Sequence, residues 1–582
     1  MAVYVERRRT TRGSSAMSTS PRRPGSGRGR RAPARRAYAV TAVAGLLVAA
    51  CGSGASASST SSTSTSVAAA LPDSITSIMD KPRYADATWS LLVTDVETGE
   101  SFYELNADEM SLTGSTRKLF SVGAALDELG ADHRQRTPVH RQGTVDEEGN
   151  LEGNLVLVAG GDLEFGGRRI DADTVEFANF DHNDANSLGS AILTPQDPLY
   201  ALDELARQVK ASGISSVRGD VVIDDRMFEP YRVPNGNLLI TPMMLNENMV
   251  DVTVTPGGVG QPAAMSYRPE TAALTVDSDV TTVAADAAPG AAVTLSDDTR
   301  PACTATPGCT ATVSGEIPVG YVAPLTHIDS FVGTFRVEKP NAFARTAFIE
   351  ALARHGVAVN APPVTPNDAE SLAPTVLPAT YPADTEVAAY ESAPFAQTAQ
   401  LVLKVSLNLG ANLSLSLLGL TQGERTVDGA LEAERQALID TYGVDGSQFT
   451  FPTNGSGTPD SEAAPRALVQ MLTAMSRTEV AEEFRASLPV MGEDGSLATA
   501  GTTLAGKGHV FAKPGTTIMA NDDGDLELKA QNLAGYVETK SGRTVAYALM
   551  VNDAGPISDI ATDVGGVFED EAAISSVIYE TL

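Results

Sequence analysis

Gly114-Ser115-Thr116-Arg117-Lys118-Leu119-Phe120 is the stretch on which the reading of this 582-residue chain turns. A serine hydroxyl is a poor nucleophile at neutral pH and becomes useful when a base within hydrogen-bond reach can take its proton. Ser115 and Lys118 offer that pairing. Leu119, Val122, Ala125, Leu126 and Leu129 then repeat at three and four, and Gly130 supplies a stop, so the spacing predicts a helix. Residues three apart lie one turn apart on the same side of a helix, which brings the lysine amine to the serine hydroxyl. To act as a base Lys118 must lose its proton more readily than usual, which burial and a second nearby cation both favour. Alone, Ser-x-x-Lys also describes an exposed lysine at the start of an amphipathic helix. The rest of the chain has to decide.

Outward from this stretch, Trp89 to Asp95 reads as a strand, Glu97-Thr98-Gly99-Glu100 as a hairpin turn and Ser101 to Leu105 as the partner strand. After Gly130 the pattern changes to short strands and turns. Leu151 to Ala159 and Gly219 to Asp225 are strand candidates, Leu202 to Ala211 is an amphipathic helix, Met249 to Thr312 is mostly β, and Asn341 to His355 returns a helix. Residues 360 to 384 are rich in Pro, Ala, Thr and Asp and read as a connection. Helices follow over Phe395 to Val405 and Leu409 to Leu420, separated by Ser406-Leu407-Asn408. His509 to Lys513, Leu533 to Glu538 and Val545 to Val551 read as strands, and Glu569 to Leu582 as a last helix. Strands at both ends with helices between them predict one domain closed by its termini, with residues 136–384 looping out as inserted, mainly β material.

Composition limits the setting. The first 50 residues carry eleven Arg and one acidic residue, a net +10, which leaves −41 for residues 51–582. A surface that acidic repels phosphate backbones and argues against nucleic acid as a partner. The arginines precede fourteen mostly apolar residues, Ala37 to Ala50, too few to span a bilayer and suited to an export signal. That segment ends Val48-Ala49-Ala50-Cys51, which resembles a bacterial lipobox, with Cys51 as the lipidated first residue of the mature chain; an ordinary cleavage site is the alternative. Residues 1–50 are thus expected as a lipoprotein-type signal peptide and the Ser/Thr/Ala-rich residues 51–70 as a flexible tether. Cys303 and Cys309 flank a Pro-Gly turn and are expected to pair as a disulfide in an oxidising compartment, contributing about 2 kcal/mol. A metal site there is the weaker reading, because no His or carboxylate cluster accompanies the pair.

Three motifs in order, Ser115 to Lys118, Ser406 to Asn408 and Lys513-Pro514-Gly515-Thr516, resemble the Ser-x-x-Lys, Ser-x-Asn and Lys-Thr-Gly signatures of penicillin-binding proteins. The gap of 291 residues between Ser115 and Ser406 is similar to that of the D-alanyl-D-alanine carboxypeptidase/endopeptidase group, the class C low-molecular-weight type, whose members carry large inserts. Asn454-Gly455-Ser456-Gly457, Gly495-Ser496-Leu497 and Ala534-Gly535-Tyr536-Val537 add secondary matches. The resemblance implies an α/β (α+β) fold of the penicillin-binding-protein/β-lactamase-like transpeptidase kind, an antiparallel sheet flanked by helices, built from residues 71–135 and 385–582.

It also implies roles. Ser115 would attack a D-Ala-D-X carbonyl and form an acyl-enzyme, Lys118 would be the general base, and Ser406 would relay the proton to the leaving amine. Asn408 would hold the substrate amide or the lysine. Lys513, Gly515 and Thr516 would receive the substrate's terminal carboxylate, and backbone amides of Ser115 and of the strand would form an oxyanion hole. The partners implied are peptidoglycan stem peptides, β-lactams as inhibitors and the membrane through a lipid anchor, with the protein exported to the outer face of the cytoplasmic membrane. No cofactor and no metal are called for. Pro514 departs from the family pattern, in which Thr or Ser follows the lysine. That departure keeps a second reading in play, a catalytically weakened scaffold or peptidoglycan-binding protein on the same fold.

Overall fold

Strands from both ends of the chain meet in one antiparallel sheet. In the computed structural model, which describes residues 70–582 apart from 235–237, 288–289, 297–306, 373–376, 378 and 522, the order is Ser101–Leu105, Thr88–Asp95, Thr544–Asn552, Leu526–Glu538 and Val510–Ala520. The expected signal segment, the tether, Cys51 and Cys303 lie outside the described residues. Cys309 is disulfide-bonded.

The sheet is buried on both faces, and its side chains divide with the period of two that a pleated strand imposes. Leu91, Val93, Leu549 and Val551 face one core with Val564, Val567, Ile574 and Ile578 of the helix Ile560–Thr581, and with Ile75 of the helix Asp73–Met79. Leu92, Ala548, Met550 and Tyr536 face the other, against the helices Lys118–Leu129, Phe395–Val405, Asn408–Thr421 and Pro465–Met475. Lys118 through Leu126 are all buried. A helix apolar around its whole circumference belongs inside a protein. Lys118 is its first residue, and Gly130 ends it at φ +91°.

Two boundaries differ from the sequence reading. The strand expected to stop at Lys513 runs from Val510 to Ala520, straight through Pro514 and Gly515. It is an edge strand, so a residue without an N–H is tolerated there. The last helix starts at Ile560, not Glu569. Asp559 caps it, its carboxylate accepting from the Thr562 N–H at 2.8 Å, and Gly565-Gly566 lies inside it. A Cβ at Gly566 would meet the Arg83 guanidinium at 2.9 Å, so glycine there serves packing.

Residues between these halves build a second core. Strands Arg136–Val145 and Asn150–Val158 form a sheet with Val221–Asp224 and with Glu386–Glu391, whose pairing with Arg136–Val145 brings the two ends of this segment side by side. The helices Tyr200–Ala211 and Pro340–Arg354 cover it with Leu202, Leu205, Phe348 and Leu352. Two three-stranded sheets follow: Met249–Thr255 lies between Ala264–Arg268 and Phe331–Arg336, and Cys309–Pro318 lies between Leu274–Val283 and Ala292–Leu295. No helix among the described residues is long and apolar enough to cross a membrane.

Candidate active site

Ser115 sits in a tight turn, Gly114–Arg117, immediately before the helix Lys118–Leu129. The turn packs closely on the strand Val510–Ala520, and two glycines allow the approach. A Cβ on Gly114, at φ +48°, would stand 2.7 Å from the Thr516 nitrogen. One on Gly515 would stand 2.3 Å from the Thr113 carbonyl and 3.0 Å from the Ser115 nitrogen. The backbones of the nucleophile turn and of the Lys513-Pro514-Gly515-Thr516 strand are therefore in contact. Asn532, opposite Gly515 in the neighbouring strand, pins the turn, donating to the carbonyls of Leu112 at 2.8 Å and Thr113 at 2.9 Å.

Lys118 is wholly buried, and its Nζ gathers the first two motifs. It lies 2.6 Å from Ser115 Oγ, 2.7 Å from Asn408 Oδ1, 3.2 Å from the Ser456 carbonyl and 3.4 Å from Ser406 Oγ. Of the two tasks expected of Asn408, the geometry fits holding the lysine. Ser406 stands in left-handed backbone, φ +63°, where the helix Phe395–Val405 gives way to Asn408–Thr421. A non-glycine residue in that region is uncommon, and the conformation turns its hydroxyl toward Lys118.

The third motif completes the cleft. Ser115, Ser406, Lys513, Pro514 and Thr516 line one cavity of about 250 Å³. Lys513 is fully buried, donating to the Pro514 carbonyl at 2.8 Å, so it is not an exposed charge guarding a sheet edge. Thr516 Oγ1 is hydrogen-bonded to the Gln531 side-chain amide at 2.7 Å. Asn179, Phe180, Asp181 and Leu325 bring the middle segment of the chain to the same cavity, and Ile560 and Phe568 bring the last helix.

Several supporting residues escape a motif reading. Arg117, inside the Ser-x-x-Lys stretch, is fully buried, pairs through two nitrogens with Glu434 and stacks 3.9 Å above the Phe451 ring. Asn412 donates to the Asn408 carbonyl at 2.8 Å and accepts from the Gly455 N–H at 2.9 Å, joining the second motif to the Asn454–Gly457 loop. Asn454 Oδ1 accepts from the Ser456 and Gly457 nitrogens, each at 2.8 Å, and so fixes the carbonyl that Lys118 meets. Asn408 and Asn412 are four apart on one helix face, and asparagine is a poor interior helix residue. That spacing was the available signal. Glu434, far off in sequence, left none.

A second polar cluster reaches the cleft through Asp181. Arg168 bonds Asp181 at 2.8 Å and also Glu247, His182 Nδ1 lies 2.7 Å from Asp251, and Arg268 lies 3.1 Å from Asp251. Burial alone would lower the His182 pKa, but Asp251, Asp181 and Glu247 override it and push it up to about 10. Asp181, His182 and Glu247 have the mutual spacing of metal ligands. Their charge is nevertheless already matched, three carboxylates facing Arg168, Arg268 and a protonated His182, and this donor set does not fit a metal ion.

A hydroxyl bonded to a buried lysine one turn away, set where an antiparallel sheet meets a helical layer, defines a serine peptidase of the penicillin-binding-protein and β-lactamase-like fold. Residues 71–564 match the D-Ala-D-Ala carboxypeptidase 3 (S13) family, and the chain belongs to it. It is 28% identical over 511 residues to a D-alanyl-D-alanine carboxypeptidase of Actinomadura sp. (strain R39), covering 83% of this chain and 81% of that one. The fold is similar to penicillin binding protein 4 from Haemophilus influenzae, with a TM-score of 0.61 and 17% identity over 87% of this chain and 99% of the other. A structure of that protein complexed with a β-lactam gives 0.60 and 18% over the same shares.

Proposed function

We propose that this serine peptidase hydrolyses D-Ala-D-X bonds of peptidoglycan stem peptides through an acyl-enzyme on Ser115, and that penicillins acylate the same atom. The observation that carries the reading is the 2.6 Å contact of Lys118 Nζ with Ser115 Oγ at a cleft that Lys513 and Thr516 also line. With Lys118 neutral, its nitrogen takes the Ser115 proton as Oγ attacks the carbonyl carbon. The backbone nitrogens of Ser115 and Thr516, brought together by Gly114 and Gly515, are the donors for the oxyanion. Ser406, 3.4 Å from Lys118, passes the proton to the leaving amine, and water then releases the acyl group. Lys513 and the Thr516 hydroxyl receive the terminal carboxylate. Release of D-alanine from a peptide ending in D-Ala-D-Ala tests this: wild type should release it and Ser115→Ala should not. Equal release by both proteins would overturn the assignment of Ser115.

One observation favours the second reading. Pro514 puts a residue without hydroxyl or N–H where the carboxylate pocket ordinarily has both. We read it as a weakened enzyme and not an inert scaffold, because Lys118, Ser406 and Asn408 keep a working geometry.

We further propose export and lipid anchoring at the outer face of the cytoplasmic membrane, supported by the arginine-rich apolar leader and by Val48-Ala49-Ala50-Cys51. Cys51→Ala should block processing and move the protein out of the membrane fraction. An unchanged processed mass with unchanged membrane association would point to an ordinary signal peptide.

A further inference from the structure

Behind the cleft wall a chain of three side chains runs into the protein core. Thr516 Oγ1 is 2.7 Å from Gln531 Oε1, and Gln531 Nε2 is 3.1 Å from Glu571 Oε2 on the helix Ile560–Thr581. Gln531 and Glu571 have no solvent exposure, and Glu571 Oε1 is buried without a hydrogen-bond partner among the described residues. The polar and titratable groups facing Glu571 are Gln531 from the sheet, Asp570 on its own helix, and Tyr84 and Tyr547 from elements packed against that helix. None is a cation. A buried carboxylate without one is costly, so the group takes a proton instead. Burial pushes the Glu571 carboxyl well above the ordinary range, the Asp570 charge adds to that, and the Gln531 hydrogen bond opposes it.

Two settings of the Gln531 amide fit the same atom positions. In one, Thr516 donates inward and offers the cleft only lone pairs, which suits an anion poorly. In the other, the Glu571 O–H donates to Gln531 Oε1, the amide N–H donates to Thr516 Oγ1, and the Thr516 O–H is free to donate into the cleft. The second gives the carboxylic proton an acceptor and leaves the Thr516 O–H for the cleft. We propose that Glu571 is a positioning residue for the peptidase reaction, setting through Gln531 the direction in which the Thr516 hydroxyl donates and thereby the preference of the cleft for a substrate carboxylate. This inference rests on the reading of Thr516 as a carboxylate partner. With Pro514 beside it contributing no hydroxyl, Thr516 is the side-chain hydroxyl this motif has left, and its direction matters correspondingly.

The probe is the ratio of second-order acylation rates for benzylpenicillin and its methyl ester, which differ in the carboxylate alone. Glu571→Leu and Gln531→Met should each lower that ratio about tenfold, the scale of one charge-assisted hydrogen bond, while the ester rate stays near wild type. The double variant should be no worse than either single one, since both cut the same chain. Glu571→Gln, whose amide still donates, should stay within about twofold of wild type and keeps the test open if the leucine variant folds poorly. Glu571→Leu and Gln531→Met slowing acid and ester alike, or losses that simply add, would reduce Glu571 to a packing residue and overturn the proposal. Thr516→Val is the control: if it leaves the ratio unchanged, the carboxylate reading of Thr516 fails and this inference with it. If it lowers the ratio while the Glu571 and Gln531 variants do not, only the relay fails.

Discussion

Two buried polar clusters reach the same cleft on opposite plans. Around Lys118, two hydroxyls, an amide oxygen and a backbone carbonyl stand within 2.6 to 3.4 Å. Around Arg168 and His182 the partners are carboxylates, and three negative charges meet three positive ones. The second cluster is closed: it is charge-neutral and encloses a space of about 10 Å³. The first opens on a cavity some twenty-five times larger, which Ser115 lines. The hydroxyls, the amide and the carbonyl fix the direction of the Lys118 amine toward Ser115, whereas the carboxylates of the second cluster are spent on pairing its cations. A histidine among acids at metal-ligand spacing is here matched in charge by its neighbours, and the proposed chemistry falls to the lysine beside Ser115.

The contrast can be broken by substitution. The largest effect should come from Lys118→Ala, which removes the base and should slow penicillin acylation roughly 10²- to 10⁴-fold with little change in melting temperature. A large fall in stability with acylation preserved would reverse the roles assigned to the two clusters.

The ion cluster should answer to pH through stability. His182 is held at about 10 in the folded protein, against about 6.5 when unfolded. Its contribution is therefore complete below about pH 6.5 and is lost as pH rises through about 10. Melting temperature should fall across that window in wild type, and His182→Gln should start lower and lack that part of the slope. Identical slopes in both proteins would show that the ring carries no charge in the native cluster.

Pro514→Thr should have the smallest effect and the opposite sign. One restored hydrogen bond to a carboxylate is worth about 1.5 to 3 kcal/mol, so penicillin acylation and D-Ala-D-Ala hydrolysis should rise roughly ten- to a hundredfold. If both rates stay flat or fall, the pocket has been rebuilt around proline.

How much of this was legible in the sequence follows from the range over which each signal acts. Ser115 and Lys118 are three apart, so helix geometry alone links them, and the run from Leu119 to Leu129 announces its helix by period. Ser406, Asn408, Lys513 and Thr516 were found by their order along the chain. Their meeting at one cleft depends on a sheet that pairs Thr88–Asp95 with Thr544–Asn552, a contact no local pattern encodes. The strand expected to end at Lys513 continues through Pro514-Gly515 because a sheet edge tolerates a residue without an N–H, and the last helix begins before Glu569 because Asp559 caps it. Arg117 with Glu434 and Gln531 with Glu571 were invisible because a buried polar side chain is defined by a distant partner.

Where a β-lactam attaches distinguishes the two clusters most directly. After incubation with benzylpenicillin, intact mass should rise by one penicilloyl group, peptide mapping should place it on Ser115, and Ser115→Ala should remain unmodified while folding normally. An adduct that persists in Ser115→Ala or maps to another residue, or a wild-type protein that takes up none, would contradict the claim that the cluster around Lys118 is the catalytic one.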